Sequence, residues 1–406
     1  MKVALIGNMN NNFFSIMRYF RDLGIDAHLF IYRGEYEHFS PEKDTYNIEK
    51  YKKYIHKLSI RPSVMGLLFV NKRKIKEELD GYDFFIGCGI APALFLKLKM
   101  RLDILIPYHD NIEYTSQPKL IYNSSGYETV KRFAQKYVVN LQIRGIKENT
   151  SKIILNTIQD IGKEAIEKLN LSNKLIKKYV PMVYLEKAQK NEELNEIIEF
   201  MRQYNLVVFS HTRHSWGKKS IKEDYRGKGI DKLIVGYSQF IKKSPPDINA
   251  ILILFEYGEE VEDSKRLIDE LGIKERVKWL PLMARRDILQ LISYADIVVD
   301  SLSVGMWGGV GWEGLANGKI IMQDIAQTDD EYYEEMGHKF PTVMRAESAD
   351  DVEKHLKNFV ENREYFSIKA KENRDWFNRY AGIGLAKEYK KIVQELYSKR
   401  CKEVNL

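Results

Sequence analysis

Cysteine is scarce in this chain: Cys88 and Cys401 stand far apart among 406 residues. Two such positions supply no disulfide framework and no C-x-x-C pair, so a reducing compartment fits best and both thiols read as inert. No apolar run reaches the length needed to cross a bilayer, and the opening MKVALIGN reads as a strand rather than a signal sequence. Several catalytic signatures are missing as well. There is no G-x-x-x-x-G-K-[ST] phosphate loop, no G-x-S-x-G elbow, no H-E-x-x-H zinc site and no Asp-x-Asp after an apolar strand. A single glycine, Gly7, follows the first strand, so the dinucleotide fingerprint G-x-G-x-x-G is missing too. Any mechanism must rest on fixed cations and backbone amides, with no metal and no cofactor expected.

Charge of one sign is also not extreme. The net charge of +7 is too small to argue for nucleic acid, but it suits an anionic ligand or contact with an anionic membrane. The expected location is the cytoplasm, with room for contact at the inner face of the cell membrane. Basic, partly apolar stretches at 71–79, 93–101 and 127–147 can lie on anionic lipid, and ordinary half-buried helices carry the same pattern.

What is present is alternation. Apolar runs at 3–6, 28–32, 83–88, 103–107 and 152–156 are each joined by helical periodicity, which is the β-α-β unit of a parallel sheet. After a charged connector at 185–204 the pattern resumes, with strands at 206–210, 250–255, 276–280, 297–299 and 320–322. Helices follow near 350–360, 363–380 and 385–398. The predicted architecture is α/β, two doubly wound Rossmann-like domains facing across a cleft, since one core rarely organises so long a chain. The first domain covers 1–184, the linker 185–204 and the second domain 205–384. The default ligand site lies at the strands' C-terminal edges.

The stretch 296–324 concentrates the chemistry. Gly305, Gly308, Gly309 and Gly311 form a turn between an apolar strand and a short helix carrying Glu313. Such a turn lets backbone amides approach a phosphate at the helix's positive end, and Glu313 can accept hydrogen bonds from a diol such as ribose. The same glycines also suit tight packing alone. A second cluster, His211, Arg213 and His214, follows the strand at 206–210, and Arg226 and Lys228 precede the next helix. Arg213 and Lys228 flank predicted elements and are the cations expected to hold a diphosphate. Other predicted strand ends carry Asn8, beside Gly7, and His109.

In order and spacing these segments resemble the nucleotide-sugar glycosyltransferases of the two-Rossmann-domain (GT-B) architecture, family 4 especially. RGKGIDKLIVGYSQFI looks like the family's Lys-Gly-x-x-x-Leu-Ile element. LGIKERVKWLPLMARRDILQLISYADIVV and WEGLANGKIIM look like its next two elements. The resemblance implies a retaining, metal-independent enzyme using a nucleoside-diphosphate sugar as donor, with a glycan or lipid-linked acceptor. It implies that Glu313 binds the donor ribose and that Lys228 and Arg213 hold the diphosphate. Backbone around Leu282 would contact the base, and His109 would lie beside the transferred sugar. It also implies that the last helix, 385–406, crosses back to the first domain. One departure stands out: Gly305 occupies the position of the family's first glutamate, so that contact is missing or is supplied by Asp300. A nucleotide-sugar 2-epimerase and a non-catalytic donor-binding scaffold are the alternatives.

Overall fold

The computed structural model describes residues 1–35, 37–107, 129–155, 166–186, 191–217, 227–305 and 307–404. The chain divides into two compact units, Met1–Tyr184 with Tyr380–Leu406, and Leu185–Arg379.

The first unit is built on seven strands: β1 (Lys2–Ile6), β2 (Asp26–Tyr32), β3 (Ile55–Leu58), β4 (Phe84–Gly87), β5 (Leu102–Leu105), β6 (Thr150–Leu155) and β7 (Leu175–Lys177). Their order is β3-β2-β1-β4-β5-β6-β7, and every neighbouring pair is parallel. Val3, Ala4, Leu5 and Ile6 are completely buried, as a central strand covered on both faces requires. The final helix, Ile383–Val404, belongs to this unit. The Tyr389 hydroxyl donates to the Tyr179 carbonyl at 2.7 Å, and Arg400 pairs with Asp103 at 3.0 Å.

The second unit has six strands: β8 (Leu206–Phe209), β9 (Ala250–Phe255), β10 (Val277–Leu280), β11 (Ile297–Val299), β12 (Ile320–Gln323) and β13 (Val343–Arg345). They run β10-β9-β8-β11-β12-β13, again parallel throughout. The strand order reverses between β8 and β11, and at such a switch point the connections leave in opposite directions and open a crevice. The expected pair of doubly wound α/β sheets is therefore present.

The stretch 185–204, in sequence a charged, helix-prone linker, contains the helix Asn195–Arg202 and groups with the second unit. The Asn191 amide nitrogens bond Gln290 at 2.7 Å and Asp287 at 3.2 Å, which ties the segment down. Strands β3, β7 and β13 were not anticipated. All three are edge strands of three or four residues with half-exposed positions, so they carry no continuous apolar run. Among the described residues no helix is long and apolar enough to cross a membrane.

Candidate functional site

The switch point of the second sheet gathers most of the predicted site residues. Beyond β8 the chain continues as Ser210, His211, Thr212 and Arg213. The Ser210 and Thr212 hydroxyls both donate to the Val299 carbonyl, at 2.8 and 3.3 Å, which locks this turn to the end of β11. Lys228 is stitched between the same two segments: its N–H donates to the Ser215 carbonyl at 2.6 Å, and its carbonyl accepts from the Leu302 N–H at 2.9 Å. Sequence reading missed a contributor here. Glu260, 4 % exposed, accepts N–H bonds from Trp216 and Gly217 and so fixes the turn that follows Arg213. A lone acid opening a helix gives no sequence signal of that role.

Glu313 lies one turn inside the helix Gly309–Ala316 and is 6 % exposed. Arg285 Nε approaches its Oε1 at 2.6 Å, and His211 Nε2 lies 2.8 Å from its Oε2. Burial alone would push this carboxyl up, but the Arg285 and His211 charges outweigh it and hold the pKa down at about 2. Glu313 is thus an ionised acceptor, and each oxygen keeps lone-pair capacity after one contact. Arg285 is the second residue that sequence reading missed. It opens the helix Arg285–Ile292 after β10, and its sequence signal was the Arg285-Arg286 pair just before the apolar periodicity begins.

Asp300 does not project freely at the end of β11. Its carboxylate accepts from the Ser301 N–H at 2.7 Å and the Gly311 N–H at 2.8 Å, so it braces the glycine turn from beneath. Burial raises its pKa, opposed by the Gly311 bond and the Lys228 charge. A Cβ on Gly308 would overlap this carboxylate, which is why the position carries no side chain. Gly305 turns in the left-handed region, at φ +68°, and its N–H is held by Asp324 at 2.8 Å. Gly309, in contrast, faces open space. Lys228 is lowered from its ordinary pKa by burial, with Asp300 opposing the shift and Arg213 adding to it. Arg213 Nε is buried and has no hydrogen-bond partner among the described residues.

His211, Arg213, Lys228, Asp300, Gly308 and Glu313 thus converge on one strand edge, with Gly305 and Gly309 in the turn above it. Leu282 lies in the loop after β10, three residues before Arg285, with its side chain 63 % exposed. Asn8 belongs to the first unit and is fully buried. Its side chain donates to Asn11 Oδ1 and the Phe39 carbonyl, both at 2.7 Å, and accepts from the Phe14 N–H at 2.9 Å. That amide builds the turn after β1 and has no donor hydrogen left for a ligand. His109 and Arg226 lie outside the described residues. Among the described residues no group of three or more His, Cys, Asp or Glu side chains is arranged to hold a metal ion.

No protein-family model matches the chain, and no curated sequence does. Solved structures match it over nearly its whole length. The HepE protein of Anabaena in complex with UDP aligns at TM-score 0.64 and 16 % identity, over 97 % of this chain and all of that one. A glycosyltransferase from Rickettsia africae aligns at 0.60 and 14 % identity, covering 97 % and 98 %. The UDP-GlcNAc 2-epimerase of Neisseria meningitidis, bound to UDP-GlcNAc, aligns at 0.55 and 15 % identity, covering 98 % and 100 %. The chain therefore has the GT-B fold. At these identities the likeness establishes architecture, and chemistry must be argued from the site.

Proposed function

We propose that this protein is a retaining, metal-independent glycosyltransferase that moves a sugar from a nucleoside-diphosphate donor to a hydroxyl of a glycan or lipid-linked acceptor. One observation carries the reading. An ionised, pre-oriented carboxylate, Glu313, sits at the same strand edge as two cations, Arg213 and Lys228, and the open end of the helix Gly309–Ala316. A diol bound to Glu313 and a diphosphate against those cations are the two ends of one nucleoside diphosphate. The solved HepE complexes with UDP and UDP-glucose, on the same fold, support that ligand class.

As the bond from sugar C1 to the phosphate oxygen breaks, charge grows on the departing diphosphate. Arg213, Lys228 and the amides at the helix opening stabilise it, and being fixed before the reaction they need no reorganisation. The acceptor oxygen bonds to C1 on the face the diphosphate leaves, and a phosphate oxygen takes the acceptor's proton. Retention follows from that same-face attack. In this reading the backbone at Leu282, three residues before Arg285, meets the base. In the same reading the protein works in the cytoplasm against the inner membrane face.

Lys228→Ala tests it. A folded variant should bind UDP more weakly and lose about 10²- to 10³-fold in turnover, the usual cost of removing one preorganised charge contact. Near-normal turnover would remove the leaving-group assignment. A 2-epimerase is the second reading, supported by the fold shared with the Neisseria enzyme. It predicts an altered sugar nucleotide from donor alone, whereas a transferase yields free nucleoside diphosphate only with an acceptor or by slow hydrolysis.

A further inference from the structure

The donor site leaves one surface of the first unit unused. The short helix Val64–Leu68 is pinned by Leu67, which is completely buried, and by Lys97, whose ammonium donates to the Leu67 and Leu68 carbonyls at 2.6 and 3.2 Å. At its start the Ser63 hydroxyl accepts from the Gly66 N–H at 3.0 Å. The element is therefore fixed, yet its other face is bare. Met65 is 60 % exposed and Phe69 77 %, the most exposed large hydrophobic side chain among the described residues. The Phe69 N–H donates to the Met65 carbonyl at 3.0 Å, so the two residues stand one helical turn apart.

Charge adjoins this apolar tip. Residues 60–76 contain Arg61, Lys72, Arg73, Lys74 and Lys76, all exposed, and no acidic residue. The helix Lys72–Glu78 carries four of them. Lys72, Arg73, Lys76, Lys97 and Lys99 line one shallow depression in which Glu77 is the only carboxylate. Glu77 itself is engaged with Arg73 at 2.9 Å, and Glu78 accepts from the Ser59 N–H at 2.9 Å. Lys97, which pins the apolar helix, also lines this depression, so two protruding apolar side chains adjoin a cluster of long cations, which suits an interface that is apolar inside and anionic at its rim. The cations reach phosphates while their stems lie along the acyl boundary.

We propose that this face, with Met65 and Phe69 at its tip and Lys72, Arg73 and Lys76 in the adjoining depression, docks the protein on an anionic lipid bilayer. The proposal deepens the expected membrane contact and rests on that expectation, not on the donor site, which belongs to the other unit. A bilayer with surface anions satisfies both halves of the patch: the headgroups meet the cations, and the region beneath takes the two apolar side chains.

The test is sedimentation of the full chain with vesicles of phosphatidylcholine alone or mixed with phosphatidylglycerol, at low and high salt. The expected result is binding only to the mixed vesicles, weakened by salt. Lys72→Glu and Lys76→Glu should each weaken it about fivefold or more, and Phe69→Ser roughly tenfold. Thermal melting and UDP binding of the same variants act as folding controls, and both should match the parent. No binding to either vesicle, equal binding to both, or variants that sediment like the parent would each overturn the proposal. So would a concentration-dependent dimer that Phe69→Ser dissolves without any vesicle binding, because the face would then serve a second copy. Loss of UDP binding in the unmodified protein would sink the donor-site reading and leave the vesicle result standing by itself.

Discussion

Glu313 concentrates the site's electrostatics in one side chain. Its carboxyl is nearly inaccessible, yet it stays ionised because Arg285 and His211 each face one oxygen. Glu313→Gln keeps the shape and removes the charge, so donor affinity should fall about tenfold to a hundredfold by calorimetry, the worth of a hydrogen bond to a charged group. The depressed pKa also has a stability consequence. A carboxyl whose folded pKa lies below its unfolded value stabilises fully above the unfolded value, near 4.5, and loses that contribution as pH falls toward about 2. Between those limits the parent should therefore lose melting temperature more steeply than Glu313→Gln. Parallel slopes would mean that the Arg285 and His211 contacts do not hold the charge. Arg285→Ala should reproduce part of both effects without touching the ligand, since it acts through the carboxylate.

At the scale of an element, the turn between β11 and the helix Gly309–Ala316 works because Asp300 lies under it. Two neighbouring glycines should then respond oppositely to one added methyl group. Gly308→Ala drives a Cβ into the Asp300 carboxylate and should cost about 1–3 kcal/mol and most donor binding. Gly309→Ala meets open space at the first helical position and should leave the melting temperature level or slightly raised. Equal damage from both would show that the turn is shaped by something other than Asp300. This element also shows what the sequence could and could not reveal. Strands β9 and β11 are legible to the residue because they are buried on both faces and read as AILILF and IVV. The edge strands β3, β7 and β13 are not, because half-exposed positions break the apolar run. The glycine turn and Glu313 could be marked from spacing alone. That Asp300 faces the turn's own amides, and that Arg285 arrives from a different strand's loop, depends on which strands are neighbours in the sheet. No local pattern encodes that order, and for the same reason Asn8 looked available when its amide is committed to the turn after β1.

For the whole molecule, chain order and structural unit disagree at the C-terminus. The helix Ile383–Val404 follows the second unit in sequence but buries Leu385, Ala386, Tyr389 and Val393 as part of the first. Lys390 adds a bond to the Leu23 carbonyl at 2.7 Å, and Arg400 neutralises Asp103, which is 2 % exposed. Removing this helix would uncover apolar side chains each worth roughly 1.5–3 kcal/mol for the larger ones, and it would leave Asp103 only the Phe85 N–H at 2.9 Å and Arg101 at 3.6 Å as partners. Against a typical total stability of about 5–15 kcal/mol, that loss is enough to unfold the unit. The second unit has its own core, running from Leu206 on β8 to Phe366, and includes the described residues proposed to hold the nucleoside diphosphate. Residues 185–379 produced alone should therefore melt cooperatively and be stabilised by UDP. Residues 1–184 alone should fail to melt cooperatively, and should recover when 380–406 is joined back through a flexible linker. A cooperative melt from 1–184 without that helix would show that its buried contacts are dispensable to the first core.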